Sequence, residues 1–218
     1  MKIDDSGEFF QRCIGDIKYR MGNLGPAKSS NEAVRYEYIS TILHASIYIV
    51  KRITGGKLSL NPQFEVVGEE ATGRVDYAIK KIIDALHQEL ICITEGKQNQ
   101  EAVGIMQNVM QLESSFHTNK RKRKADEAFK DYFDYLYGIV TTAMDWYFIM
   151  YTPGRIYCTK ADYHIALTED VLDDDNDAEL RRGVKKVMEV IVGLLKDRVE
   201  VDDSPDLKRA RTEKFIKE

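Results

Sequence analysis

Asp76 stands alone between Val75 and Tyr77 in the stretch "GRVDYAI", and the apolar run "ICITEGKQ" ends abruptly in Glu95, Gly96 and Lys97. Side chains alternate along a strand, so Ile91, Ile93, Glu95 and Lys97 are expected on one face, with Leu90, Cys92 and Thr94 on the other. Both faces are largely apolar before Glu95, the pattern of a central strand covered on both sides. If the two stretches pair as a hairpin around "KIIDALHQE", Asp76 comes beside Glu95. Two carboxylates held close repel each other and are costly when desolvated. A divalent cation resolves that conflict, and Mg²⁺ (or Mn²⁺ in its place) is bound by one or two carboxylates plus waters and phosphate oxygens. Lys97 beside the pair can orient or deprotonate an attacking water, or stabilise charge developing on a phosphate. The chemistry this set fits is metal-assisted phosphodiester hydrolysis.

The same residues carry a family resemblance. "GRVDYAI" followed by "ICITEGKQ", after a helix bearing a glutamate, resembles the PD-(D/E)XK nuclease superfamily, with the match on Asp76, Glu95 and Lys97. The chain departs from that pattern at Val75, where a proline often stands, and in a long spacer. The wider set "GRVDYAI…ELICITEGKQ…QNVMQLESS…DYLYGIVTTAMDWYFIMYT" is similar to the nuclease-like C-terminal domains of fungal Crinkler-type effector proteins, across most of Asn31–Val199. The resemblance implies a restriction-endonuclease-like central mixed sheet flanked by helices. It further implies metal ligation by Asp76, Glu95 and the main-chain carbonyl of Gly96, water activation by Lys97, and support from a helix glutamate and a glutamine.

Two acids lie on the first long helix. Glu32 aligns with Tyr36, Ile39 and Leu43 on the core-facing stripe, whereas Glu37 lies with Thr41, His44 and Tyr48. Glu32 therefore matches the superfamily's helix glutamate, but "SSNE" equally reads as a capping box between Ser29 and Glu32. After Lys97, Gln98, Gln100, Gln107 and Gln111 recur, and positions 100, 104, 107 and 111 form a polar helix face containing Gly104. Gln107 or Gln111 fits the supporting glutamine; a solvated face is the alternative.

The elements that must position these groups follow from period and breaks. Phe9, Phe10, Ile14 and Ile17 stand at helical spacing, before "GNLGPAKSS" interrupts the helix. "NEAVRYEYISTILHASIYIVKRI" is the strongest helix, with Tyr36, Ile39, Leu43, Ile47 and Val50 as one stripe, and Gly55-Gly56 stops it. Strands are expected at "QFEVVG", "TGRVDYAIK" and "LICITEGK". A helix over Glu101–Phe116 follows, with Val103, Met106, Val109 and Met110 as its apolar face. A short helix at "ADEAFKDYF" precedes further strands at "YGIVTTAMDWYFIMYT" and "GRIYCTK". A second long helix runs over Ala178–Val199, with Asp177 as its N-cap. That order describes an α/β (α+β) layered domain. It divides into an N-terminal helical and linker extension over 1–30, the nuclease-like domain over 31–200 and a basic polar tail over 201–218.

The net charge of −4 argues against coating of nucleic acid by the whole surface, while leaving room for a local basic site. "NKRKRKADE" supplies one: Lys120, Arg121, Lys122, Arg123 and Lys124 are consecutive, read as a DNA-phosphate clamp, a nuclear import signal, or both. The tail repeats the theme with Lys208, Arg209 and Arg211. No apolar leader or bilayer-length run is evident, and three cysteines without CxxC spacing read as free thiols of a reducing compartment. The expected site of action is a nucleus, that of a host where the effector likeness applies, or otherwise the cytoplasm. "DDDNDAELRRGV" fails as a calcium loop, having Ala178 and Val184 where glycine and glutamate are needed. "TGGKL" fails as a phosphate-binding loop, and the four histidines lack metal spacing. The expected activity is Mg²⁺-dependent endo- or exonuclease action on nucleic acid, DNA foremost. The alternatives are a catalytically inactive module of that fold binding DNA or a host nuclear protein, and a plain interaction protein.

Overall fold

The computed structural model describes residues 1–67, 72–85, 87–96, 101–121, 134–160, 163–172, 177–200 and 205–217. Helices α1 (Glu8–Leu24) and α2 (Glu32–Thr54) lead into strands β1 (Leu58–Val67), β2 (Thr72–Ile82) and β3 (Gln88–Gly96). Helix α3 (Glu101–Arg121) follows, then β4 (Leu136–Thr141), β5 (Asp145–Thr152), β6 (Arg155–Cys158) and the short β7 (Tyr163–His164). Helices α4 (Ala178–Glu200) and α5 (Pro205–Lys217) close the chain. The strands form one seven-stranded sheet ordered β1-β2-β3-β4-β5-β6, with β7 paired to β5. Only β3 and β4 run parallel. A parallel neighbour requires a crossover, and α3 lies between those two strands in the chain. The mixed α+β sheet flanked by helices is the architecture expected from the sequence. The helix expected at "ADEAFKDYF" lies outside the described residues.

Two cores result. Helices α1, α2 and α4 cover one face, where Phe10, Ile39, Leu43, Trp146, Val187 and Ile191 belong to the larger cluster. Helix α3 covers the other face, over Val75, Leu90, Ile93, Leu112, Val140 and Ile149. Gly55 ends α2 at φ 67°, a left-handed cap that suits glycine. Among the described residues, no helix is long and apolar enough to cross a membrane.

One residue breaks the alternation expected along β3. Ile79 pairs with Cys92 but Lys80 pairs with Leu90, so Ile91 is the extra residue of a β-bulge. Ile91 thereby joins Cys92 on the α2 side, while Ile93 faces α3; the shared face runs from Ile93 to Glu95 and does not include Ile91. Below the point where β4 begins to pair, the side chain of Asn119 substitutes for a strand. Its Oδ1 accepts the Leu90 N–H at 2.9 Å and its Nδ2 donates to the Leu90 carbonyl at 2.8 Å.

Helix α3 is turned the other way from its sequence pattern. Val103, Met106 and Met110 are exposed, at 51%, 70% and 64%, and only Val109 of the expected apolar face turns partly inward. The buried face instead carries Gly104, Asn108, Gln111, Ser115 and Asn119. Buried polar groups need partners once they leave water; Asn119 serves the Leu90 peptide and Gln111 the Glu95 carboxylate, while Asn108 Oδ1 and Ser115 Oγ are buried without a hydrogen-bond partner. Gly138 makes the approach feasible, since a Cβ there would stand 2.0 Å from Asn108 Oδ1 and 2.8 Å from Leu112 Cδ1. Gly138→Ala is expected to cost about 1–3 kcal/mol through overpacking, measured by urea unfolding.

At the opposite end of β3 lies a buried charge cluster. Arg198 of α4, 1% exposed, pairs with Glu89 and Asp134, each at 2.9 Å. Lys208 of α5 reaches Asp134 at 3.1 Å and Glu89 at 3.5 Å. The Arg198 guanidinium stacks over the Tyr135 ring at 4.6 Å, and the Tyr135 and Tyr137 hydroxyls both donate to Asp197 Oδ2. Burial pushes the Glu89 carboxyl upward against the pull of Arg198. Burial also works to raise Asp134, but the Arg198 and Lys208 charges hold it below the usual carboxylate range. Lys208 is thus not part of a basic nucleic-acid surface: it is buried as an ion-pair partner, and the segment read as a polar tail is helix α5.

Candidate functional site

The β2–β3 hairpin forms as expected, with Tyr77 opposite Thr94, which brings Asp76 level with the end of β3. Two features of β1 aim the Asp76 side chain. Pro62 pairs with Tyr77 and Phe64 with Val75, and between them Gln63 adopts φ 49°, interrupting the ladder opposite Asp76. Gln63 Nε2 then donates to Asp76 Oδ1 at 3.3 Å. Asp76 Oδ2 accepts the backbone N–H of Gly96 at 2.7 Å, tying the carboxylate to the residue after Glu95.

Helix α2 contributes a hydroxyl to this corner. The Tyr36 hydroxyl donates to Glu32 Oε1, and its ring lies so close over Gly96 that a Cβ there would stand 2.5 Å from Tyr36 Cε1. The Tyr77 ring meets Tyr36 edge-on at 5.9 Å, and the Tyr77 hydroxyl donates to the Tyr36 carbonyl at 3.2 Å. Burial first, then the hydrogen bond to Glu32 and the charge of Asp76, push the Tyr36 phenol well above its ordinary range, so it stays protonated. Asn31 is the N-cap, accepting from the Val34 N–H at 3.0 Å. Asn31 thus caps the helix and the Glu32 carboxylate engages Tyr36; the Ser29 side chain of the expected capping box lies outside the described residues.

Glu95 faces α3 and is 3% exposed. Gln107 Nε2 donates to its Oε1 at 2.6 Å and Gln111 Nε2 to its Oε2 at 2.9 Å. The two amides sit one helical turn apart, so a single face of α3 grips both oxygens. Gln111 also donates to the Arg74 carbonyl at 3.2 Å, which fixes its rotamer, while its buried Oε1 has no hydrogen-bond partner. The polar face of α3 is thus a buried clamp on Glu95, not a solvated surface.

At this strand end Asp76 accepts the Gly96 N–H, Gln107 donates to Glu95 on the α3 side, and Glu32 accepts from Tyr36, whose ring lies over Gly96. Lys97 lies outside the described residues, as do Lys122, Arg123 and Lys124. The backbone of Lys120 and Arg121 belongs to the last turn of α3. Among the described residues there is no group of three or more His, Cys, Asp or Glu side chains that could hold a metal ion. A hard cation here would rest on the two carboxylates and a peptide carbonyl, a set that fits the one or two carboxylates Mg²⁺ ordinarily takes. The residues that sequence reasoning missed are Tyr36, read as core, and Gln63. Tyr36 carried a signal: a hydroxyl placed four residues after Glu32 on the same helix face. Gln63 carried none, since its role depends on a local backbone break.

The chain is similar to Crinkler effector protein 1 of Rhizophagus irregularis, with 30% identity over 206 residues, covering 94% of this chain and 41% of that protein. The chain therefore spans about two fifths of that relative's length, and the similarity supports a Crinkler-like relationship. No family model and no solved structure matches the chain.

Proposed function

We propose that this chain is a metal-dependent nuclease-type domain of the PD-(D/E)XK kind, hydrolysing phosphodiester bonds of nucleic acid, DNA foremost, as part of a fungal effector acting in a nucleus. The observation that supports this reading is the register that sets Asp76, tied to the Gly96 N–H, level with Glu95, gripped on both oxygens. Bound Mg²⁺ or Mn²⁺ would supply Lewis-acid polarisation of a phosphate and a more acidic water. Asp76, Glu95 and the Gly96 carbonyl are the groups that would hold it. Gln107 and Gln111 aim Glu95 by donating to its two oxygens. Lys97 orients the attacking water and stabilises charge on the phosphate, and the Lys120–Lys124 run grips backbone phosphates.

The test is cleavage of plasmid DNA and of single-stranded RNA by purified protein, with and without magnesium. Magnesium-dependent cleavage lost in Lys97→Ala supports the reading; folded protein that neither cleaves nor binds Mn²⁺ refutes it.

A second reading, a non-catalytic module binding DNA or a host nuclear protein, is favoured by one observation. Both Glu95 oxygens already have donors, so the clamp also satisfies the carboxylate without a cation. Its signature is DNA affinity that falls steeply with salt and weakens when Lys120–Lys124 are neutralised, yet ignores magnesium and Lys97→Ala.

A further inference from the structure

We infer that Tyr36 is a positioning residue of the metal-holding corner, its hydroxyl anchoring Glu32 of α2 while its ring fixes the Gly96 peptide whose N–H Asp76 of β2 accepts. This rests on the reading of the strand end as a metal site.

The argument is one of placement. Asp76, Glu32 and Gly96 come from three different elements, and Tyr36 touches each of their positions. Its hydroxyl donates to Glu32 Oε1. Its ring occupies the space that a side chain at position 96 would need. The charge of Asp76 acts on the phenol, and that same carboxylate holds the Gly96 N–H at 2.7 Å. The ring itself cannot drift, because Tyr77 packs edge-on against it at 5.9 Å and donates to its carbonyl.

A phenol has one proton to give. It goes to Glu32, and Asp76 takes its donors from Gly96 and Gln63. Glu32 consequently reaches the corner through Tyr36, and no set of three acids able to hold a metal is found among the described residues. Groups that hold a metal-ligating residue in place without touching the metal typically carry about 10–100-fold of metal affinity.

The experiment is a calorimetric Mn²⁺ titration of wild type, Tyr36→Phe, Glu32→Gln and the double variant, alongside thermal unfolding without metal. Tyr36→Phe keeps the ring over Gly96 and removes only the hydroxyl. The expected result is Mn²⁺ affinity about tenfold weaker in each single variant, with no further loss in the double variant, because the two groups act as a unit. Metal-free unfolding temperatures should stay close to wild type. Wild-type affinity in Tyr36→Phe, or losses that simply add, would overturn the inference while leaving the metal site standing. If Tyr36→Phe does not fold, Glu32→Gln alone decides by the same affinity criterion. Folded wild-type protein that binds no Mn²⁺ would overturn the underlying site reading and this inference with it.

Discussion

Glu95→Gln is expected to lower metal-dependent cleavage by about 10³-fold, equivalent to several kcal/mol of lost charge stabilisation, while the protein remains folded. The carboxylate is buried and its described hydrogen-bond donors are the amides of Gln107 and Gln111. Gln has the same shape, so no cavity opens. Its amide nitrogen would oppose one of the two donors, and that side chain can turn over to present its oxygen. Turning Gln107 costs less than turning Gln111, which would also lose its bond to the Arg74 carbonyl. Removal of a desolvated charge offsets part of that rearrangement. Plasmid cleavage and Mn²⁺ binding read the first effect, and thermal unfolding reads the second. An unfolded variant would mark the clamp as a fold requirement and not a functional one.

Arg198→Met should act in the opposite way, cutting stability by about 3–5 kcal/mol, the usual cost of stripping one partner from a buried ion pair. Arg198 serves two acids at 2.9 Å each, and Lys208 cannot neutralise both. In a chain of this size that cost corresponds to a drop in unfolding temperature of roughly 6–20 °C. Below that temperature cleavage should persist, because the cluster lies at the far end of β3 from Asp76 and Glu95. Urea unfolding of Arg198→Met beside the double variant Arg198→Met, Glu89→Gln gives the partition. Recovery of stability in the double variant identifies the uncompensated Glu89 charge as the cause.

What the sequence made legible were features whose signal is local. The stop of α2 at Gly55, the apolar strands β2 and β3 and the placement of Asp76 and Glu95 at their paired ends all follow from period and turn chemistry. The orientation of α3 did not, because periodicity locates a stripe but not the chemistry of the surface it meets. A face of glutamine, asparagine and serine looks solvated until one sees that the sheet beneath offers a carboxylate and an unpaired peptide. Lys208 misled for a related reason. A lysine in a basic run is normally exposed, and only the fold brings Glu89, 119 residues earlier in the chain, and Asp134 to meet it. The bulge at Ile91 was likewise invisible, since one unpaired residue leaves no trace in composition.

Strand β3 carries Glu89 at one end and Glu95 at the other, and that spacing has a consequence for descent. Six residues of extended chain separate the two by about 20 Å, beyond the range over which substitutions normally influence one another. Glu89 is answered by arginine and lysine built into the chain, whereas Asp76 is met by a backbone amide and a glutamine. On the proposed function, mutations at the two ends would be filtered by different pressures, misfolding at one and lost turnover at the other. A duplicated copy released from selection for turnover could erode the Asp76 corner step by step while still passing every test of folding, so eroded corners on intact scaffolds are the expected fossil record of this architecture.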